Sequence, residues 1–176
     1  MVRSDARENR ARILEVARAA FIEDGATSMN QIAQRSGVGA GTLYRNFPTR
    51  EALVLAVYQD EVERILAAVP ELLAELPPVE ALRQWTTGLV DAMRRKHGLG
   101  DALGPAATQA VTEQTYEPVI GAITALLDAG KRDGSIRADA DAGDFLQLTA
   151  ALWRASDDRS PRMLALILDG LRPQSR

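Results

Sequence analysis

Cysteine is absent from the 176 residues, histidine occurs once, as His97, and aromatic residues account for only 5%. Without a thiol there is no disulfide framework, no cysteine-ligated zinc or iron–sulfur centre and no thiol nucleophile. A single imidazole also excludes multi-histidine metal sites. Long apolar runs are missing as well: the longest, Met163 to Leu168, is far shorter than the ~20 residues that cross a bilayer. Residues 1–13 are charged and hold no apolar segment of the kind a secretory signal uses. The expectation is a cytoplasmic protein with no membrane partner and no cofactor. Carboxylates are plentiful, but Asp139, Asp141 and Asp144, and the pair Asp157 and Asp158, stand where helices are expected to begin. No nucleophile–base pair or phosphate loop accompanies them, so an enzyme is the least expected class.

What is present is an ordinary globular composition, 46% hydrophobic and 26% charged. The net charge of −3 argues against a protein that coats nucleic acid by bulk charge. Its distribution is uneven. Up to Arg50 the basic residues Arg3, Arg7, Arg10, Arg12, Arg18, Arg35, Arg45 and Arg50 outnumber the acidic Asp5, Glu8, Glu15, Glu23 and Asp24, so the acidic excess lies wholly in the remainder.

Apolar residues recur at helical spacing throughout and no alternating strand pattern is found, which predicts an all-α fold. A first helix is expected over residues 6–24, with Ile13, Ala17, Ala20 and Phe21 on one face and Gly25 as its stop. Ser28 and Gln31 form an S-x-x-Q capping box that opens a second, short helix. A third short helix is expected over 40–47, and Thr49 caps a fourth that runs to Pro70, with Glu51 in its first turn. After Pro77-Pro78 come helices over 79–97, 113–132, 141–155 and 161–171, the last capped by Ser160 with Pro161 at its first position. The glycines and proline between 98 and 105 predict a turn-rich piece.

Between Met29 and Asn46 the residue types suit a helix-turn-helix. Ala33 is small enough to let a second helix approach, and Gly37 four residues on can take a positive φ cheaply. Val38 and Leu43 return to a small core opposite Ile32. The run from Thr42 to Leu53, Thr-Leu-Tyr-Arg-Asn-Phe-Pro-Thr-Arg-Glu-Ala-Leu, resembles the TetR family of bacterial transcriptional regulators, over residues 13–57. The Gly134 to Arg137 turn is also similar to one common in that family. The resemblance implies a DNA-binding domain over 1–48 and a helical effector-binding and dimerisation domain over 49–176.

Thr27 and Ser28 stand at a helix N-terminus, where free N–H groups attract a phosphate, and capping is their other role. On the recognition helix Gly39, Ala40, Gly41, Thr42 and Arg45 are expected toward the major groove. Arg45 is the expected base reader, through a bidentate contact to guanine; a phosphate contact is the alternative. The three tiny residues before Thr42 make no hydrogen bonds to bases. They imply either a helix lying deep in the groove, with Ala40 on a thymine methyl, or readout through DNA shape. The resemblance gives Tyr44 a phosphate, with packing as the alternative, and gives Asn46 and Arg50 a clamp on the DNA backbone. Arg3, Arg7 and Arg10 form a candidate minor-groove arm.

Two further sets of residues follow from the apolar pattern. Phe145, Leu148 and Leu152, with Leu164, Ile167, Leu168 and Leu171, make two stripes expected to pair with a second copy in a four-helix homodimer interface. A small-molecule effector pocket is expected among Trp85, Leu89, Met93 and His97 on one segment and Thr108, Tyr116, Ile120 and Trp153 on others. The expected function is therefore a dimeric regulator bound to a double-stranded operator, a repressor released by an effector. A DNA-binding activator or interaction module without sensing is the alternative.

Overall fold

The computed structural model describes the backbone of residues 2–98 and 105–173 and the side chains of 7–95, 109 and 112–173. It is all helical, with no strand among the described residues. The helices are α1 (Val2–Glu23), α2 (Met29–Ser36), α3 (Ala40–Asn46), α4 (Arg50–Ala67), α5 (Val69–Glu75), α6 (Pro78–Gly98), α7 (Pro105–Asp133), α8 (Ala142–Thr149) and α9 (Arg159–Gly170). They divide into two compact units, Met1–Glu61 with Arg95–Val111 and Val62–Arg94 with Thr112–Arg176.

The first unit closes on Ile13, Ala17 and Phe21 from α1, Ile32 and Ala33 from α2, and Leu43 and Phe47 at α3. Leu53, Val54 and Val57 of α4 complete that core. The expected boundary after residue 48 therefore falls inside the unit, because three short helices alone leave one side of their apolar surface open. The second unit packs Leu82, Trp85 and Leu89 of α6 against Ile123, Leu126 and Leu127 of α7, with Phe145, Leu152, Leu164 and Leu168 closing it. Trp85 keeps its indole N–H satisfied there, donating to the Ile65 carbonyl at 2.9 Å. Gly130 is required by space: a Cβ there would come within 2.5 Å of Ile136.

Several elements differ from expectation, each for a local reason. The first helix begins at Val2, earlier than residue 6. The fourth ends at Ala67 and a separate α5 follows. Pro70 lies in the first turn of α5, where its missing N–H costs nothing. In the same way Pro105 opens α7 eight residues before the expected start, and Pro118 is accommodated inside it. The expected helix over 141–155 stops at Thr149, whose hydroxyl donates to the carbonyls of Phe145 and Leu146. A 3-10 turn over Leu152–Arg154 follows, its carbonyls gathered by Arg94, which bonds Leu152, Trp153 and Ala155 at 3.3, 3.4 and 3.0 Å. Ser160 is not the cap of α9. The N–H groups of Arg159 and Ser160 both reach the Ser156 carbonyl, so the helix starts at Arg159 with Pro161 third.

The interface stripes also need correction. Phe145, Leu152, Leu164 and Leu168 are buried in their own unit's core, in one cluster with the apolar residues of α6 and α7; Leu164 and Leu168, i and i+4 on α9, share the face turned to it. Leu148 stays 58% exposed, and Leu166, which the expected stripe omitted, is 72% exposed. Ile167 and Leu171 are partly buried beside them.

Candidate nucleic-acid interface

The bend between α2 and α3 is built by backbone chemistry that the sequence specifies residue by residue. Ser28 accepts a hydrogen bond from the Gln31 N–H at 3.4 Å while the Gln31 side chain accepts from the Ser28 N–H at 2.9 Å, the reciprocal box that satisfies two open helix donors. At the other end Gly37 takes φ +67°. Its N–H bonds the Gln34 carbonyl and the Val38 N–H bonds the Ala33 carbonyl, both at 3.2 Å, a Schellman closure that reverses the chain in a single residue. The Gly39 carbonyl then accepts from Thr42 and Leu43 at 2.8 and 3.1 Å and starts α3. Leu43 and Phe47 anchor α3 to the core, which fixes the opposite face outward.

That outward face carries Gly39, Ala40, Gly41, Tyr44 and Arg45, all exposed, with Tyr44 at 44%. A Cβ added at Gly39 or Gly41 would meet nothing within 4 Å. Neither glycine is therefore demanded by the protein's own packing, and the backbone of this end of α3 is bare to an approaching surface. Arg45 lies along the helix with Nη2 donating to the Thr42 hydroxyl at 3.0 Å, an exposed bond that water or a base edge can replace at little cost. Asn46 is half-buried and its amide donates to the Thr42 carbonyl at 2.9 Å, so in this state it finishes the helix.

Thr27 and Ser28 separate cleanly. The Thr27 side chain is buried, its hydroxyl donating to the carbonyls of Ala20 and Asp24 at 3.2 and 2.7 Å; it closes the end of α1. Ser28 is exposed at the α2 N-terminus. Arg50 turns back, donates to the Gly25 carbonyl and stands 5.1 Å over the Phe21 ring, tying the start of α4 to the α1–α2 turn. Thr49 caps α4 by accepting from Ala52 at 3.1 Å. The Glu51 carboxyl is held below the usual carboxylate range, first by its own backbone N–H and then by the Thr49 hydroxyl. Arg7 is exposed on α1, Arg10 stacks 4.6 Å over Phe47, and the side chain of Arg3 lies outside the described residues. The Arg10–Phe47 and Arg50–Phe21 stacks escaped the sequence reading, since nothing in local spacing announces them.

Among the described residues, two of the expected effector residues come together in one cleft. Tyr116 and Ile120 line a cleft of about 350 Å³ on the second unit, together with Thr124, Lys131 and Asp141. Trp85 and Leu89 belong to the core, Met93 is half-buried, and Trp153 carries Arg154 4.5 Å over its ring. The side chains of His97 and Thr108 lie outside the described residues.

Comparison with known proteins accounts for this arrangement. Residues 13–57 match the family described as bacterial regulatory proteins, tetR family, and residues 77–173 match the C-terminal domain described as transcriptional regulator SbtR-like. A TetR transcriptional regulator of Streptomyces coelicolor is 42% identical, over 94% of this chain and 99% of that one, with a TM-score of 0.81. The chain belongs to the TetR family of transcriptional regulators. A second TetR-family structure, from Mycobacterium vanbaalenii, is 38% identical over 98% of this chain and all of that one, with a TM-score of 0.76. An HTH-type transcriptional regulator of Staphylococcus aureus is 45% identical over 64 residues, which is 35% of each chain. The chain thus matches only about a third of the length of that curated relative. The bend at Gly37 and α3 both fall within the stretch that matches the family's N-terminal helix-turn-helix domain. No described helix is long and apolar enough to cross a membrane.

Proposed function

We propose that this TetR-family protein is a homodimeric repressor that leaves its operator when a small molecule binds. The observation that carries the reading is the exposed face of α3, on which Arg45 and Tyr44 follow a bare Gly39-Ala40-Gly41 start. A guanidinium on such a face supplies a bidentate contact to guanine, and the glycines let the helix seat closely in the major groove. Ser28 offers the α2 N-terminus to a phosphate. Arg50 holds the α4 start against the α1–α2 turn and acts on DNA by position.

One reading head contacts too few base pairs to select an operator, so a second copy is needed. Its seat is the groove between α8 and α9, about 520 Å³, where Leu148, Leu166, Ile167 and Leu171 meet a rim of Arg137, Asp139 and Asp144. Effector release then works as a population shift: the ligand favours a conformation in which α4, which runs from Arg50 to Ala67, holds the heads out of register. Effector and operator affinities are reciprocally coupled.

Gel shift with operator fragments selected from genomic DNA tests the reading. Specific binding that weakens steeply with salt is expected. Arg45→Ala should cost about 1–3 kcal/mol on the best site only, whereas an equal loss on every sequence would make Arg45 a phosphate contact. Leu148→Glu with Leu166→Glu should give monomers by light scattering with an unchanged circular dichroism spectrum; a dimer of undiminished mass would remove the proposed seat.

A further inference from the structure

We infer that a cleft in the first unit, between the C-terminal half of α1 and the end of that unit's α4 segment, binds a compact monocarboxylic acid with an apolar body. The cleft holds about 240 Å³, room for a single ring or a short branched chain and too little for a nucleotide or long acyl chain. Phe21 and Val57 form a buried apolar floor and Ile22, 61% exposed, forms the lip. An exposed isoleucine at the mouth of a cleft gains by being covered.

The charges at the rim set the chemistry. Glu61, with its side chain 10% exposed, is committed to Arg95, whose Nε lies 2.8 Å from Oε1 and whose Nη2 bonds the same oxygen. That pair is internally balanced. Arg18 also lines the cleft and is half-buried, with no hydrogen bond or ion pair among the described residues. A partly desolvated guanidinium above an apolar floor calls for a planar anion that it can meet in two parallel hydrogen bonds. Among the described lining residues there is no uncommitted carboxylate for an ammonium group, which favours a simple acid over amino acids and amines. Its floor offers nothing to a bare phosphate. Once seated, the ligand carboxylate also competes with Glu61 for Arg95, the ion pair that ties α4 to the last turns of α6.

The test is titration of the full-length, isotope-labelled protein with benzoate, followed by amide NMR shifts, with benzamide and inorganic phosphate as controls. Benzoate should bind at about 1 mM or tighter, moving the amides of Phe21, Ile22, Gly25 and Val57, with benzamide and phosphate at least several-fold weaker. Arg18→Gln should weaken benzoate about tenfold or more through loss of one charge-assisted pair. Ile22→Gln, at an exposed position that leaves the fold undisturbed, should weaken it several-fold. Equal binding of benzoate and benzamide, unchanged affinity in both variants, no saturation, or shifts confined to α6–α9 residues of the second unit would each overturn the assignment. Because the readout sits in the first unit and needs no operator, its failure leaves the proposed release from the operator by an effector standing, and the converse.

Discussion

The two units solve the same burial problem by different means. In the first, the start of α2 and the α2–α3 bend are closed by groups a few residues apart, such as Ser28 with Gln31, Gly37 with Gln34, and Val38 with Ala33. In the second, the joints depend on residues far apart in the chain: Arg94 gathers the carbonyls at Leu152, Trp153 and Ala155, and Trp85 reaches Ile65. Local chemistry makes the first unit a fixed presentation of α3. Long-range ties make the second a set of helices whose packing partners are chosen by tertiary structure, where a regulator can vary.

Deleting core volume should break both units most severely. Phe145→Ala, at a fully buried site of the second core, should cost about 3–5 kcal/mol of unfolding free energy, and Leu43→Ala in the first about 2–5 kcal/mol. Chemical denaturation measures both, and Leu43→Ala should in addition remove operator binding. Glycine substitutions sharpen the comparison at intermediate size. Gly37→Ala forces a side chain into φ +67° and should cost about 1–2 kcal/mol. Gly41→Ala, inside α3 with open space around it, should raise stability by roughly 0.5–1 kcal/mol while lowering operator affinity. A stabilised variant with undiminished operator affinity would show that the bare face of α3 does not meet DNA.

The smallest effect lies at the turn before α8. Asp139 is held below the usual carboxylate range, first by its hydrogen bond from Arg137 and then, lesser, by its own backbone N–H. A depressed folded-state value contributes stability that is fully present above the unfolded carboxylate range, near pH 4, and is lost as pH falls through the folded value. Asp139→Asn should therefore flatten the acid limb of the stability profile slightly and leave pH 7 nearly unchanged, since the ion pair is exposed and screened by solvent. Thermal melts between pH 2 and about 6 check this.

How much was legible in the sequence follows the same division. The capping box, the Gly37 turn and the inward positions of Ile32, Ala33 and Leu43 were all readable, because each is written within a few residues of where it acts. Helical periodicity showed that Leu164 and Leu168 share a face. It could not show which neighbour covers that face, so residues of the unit's own core were expected at the dimer seat. Leu166 was recoverable in principle: two positions from Leu164 on a helix turns the side chain to the far face. Arg50 and Thr27 read as DNA contacts; the Arg50 bond to the Gly25 carbonyl joins residues 25 positions apart and had no local signal, whereas the Thr27 bond to Asp24 spans only three.

Hydroxyl-radical footprinting of the wild-type protein on its selected operator tests the central claim most directly. Two protected patches related by two-fold symmetry are predicted, centred about 34–36 Å apart along the duplex or somewhat further where half-sites are spread, and Gly41→Ala should weaken both together. A single continuous protected stretch, or protection that ignores sequence, would contradict a dimer that presents α3 twice to the major groove.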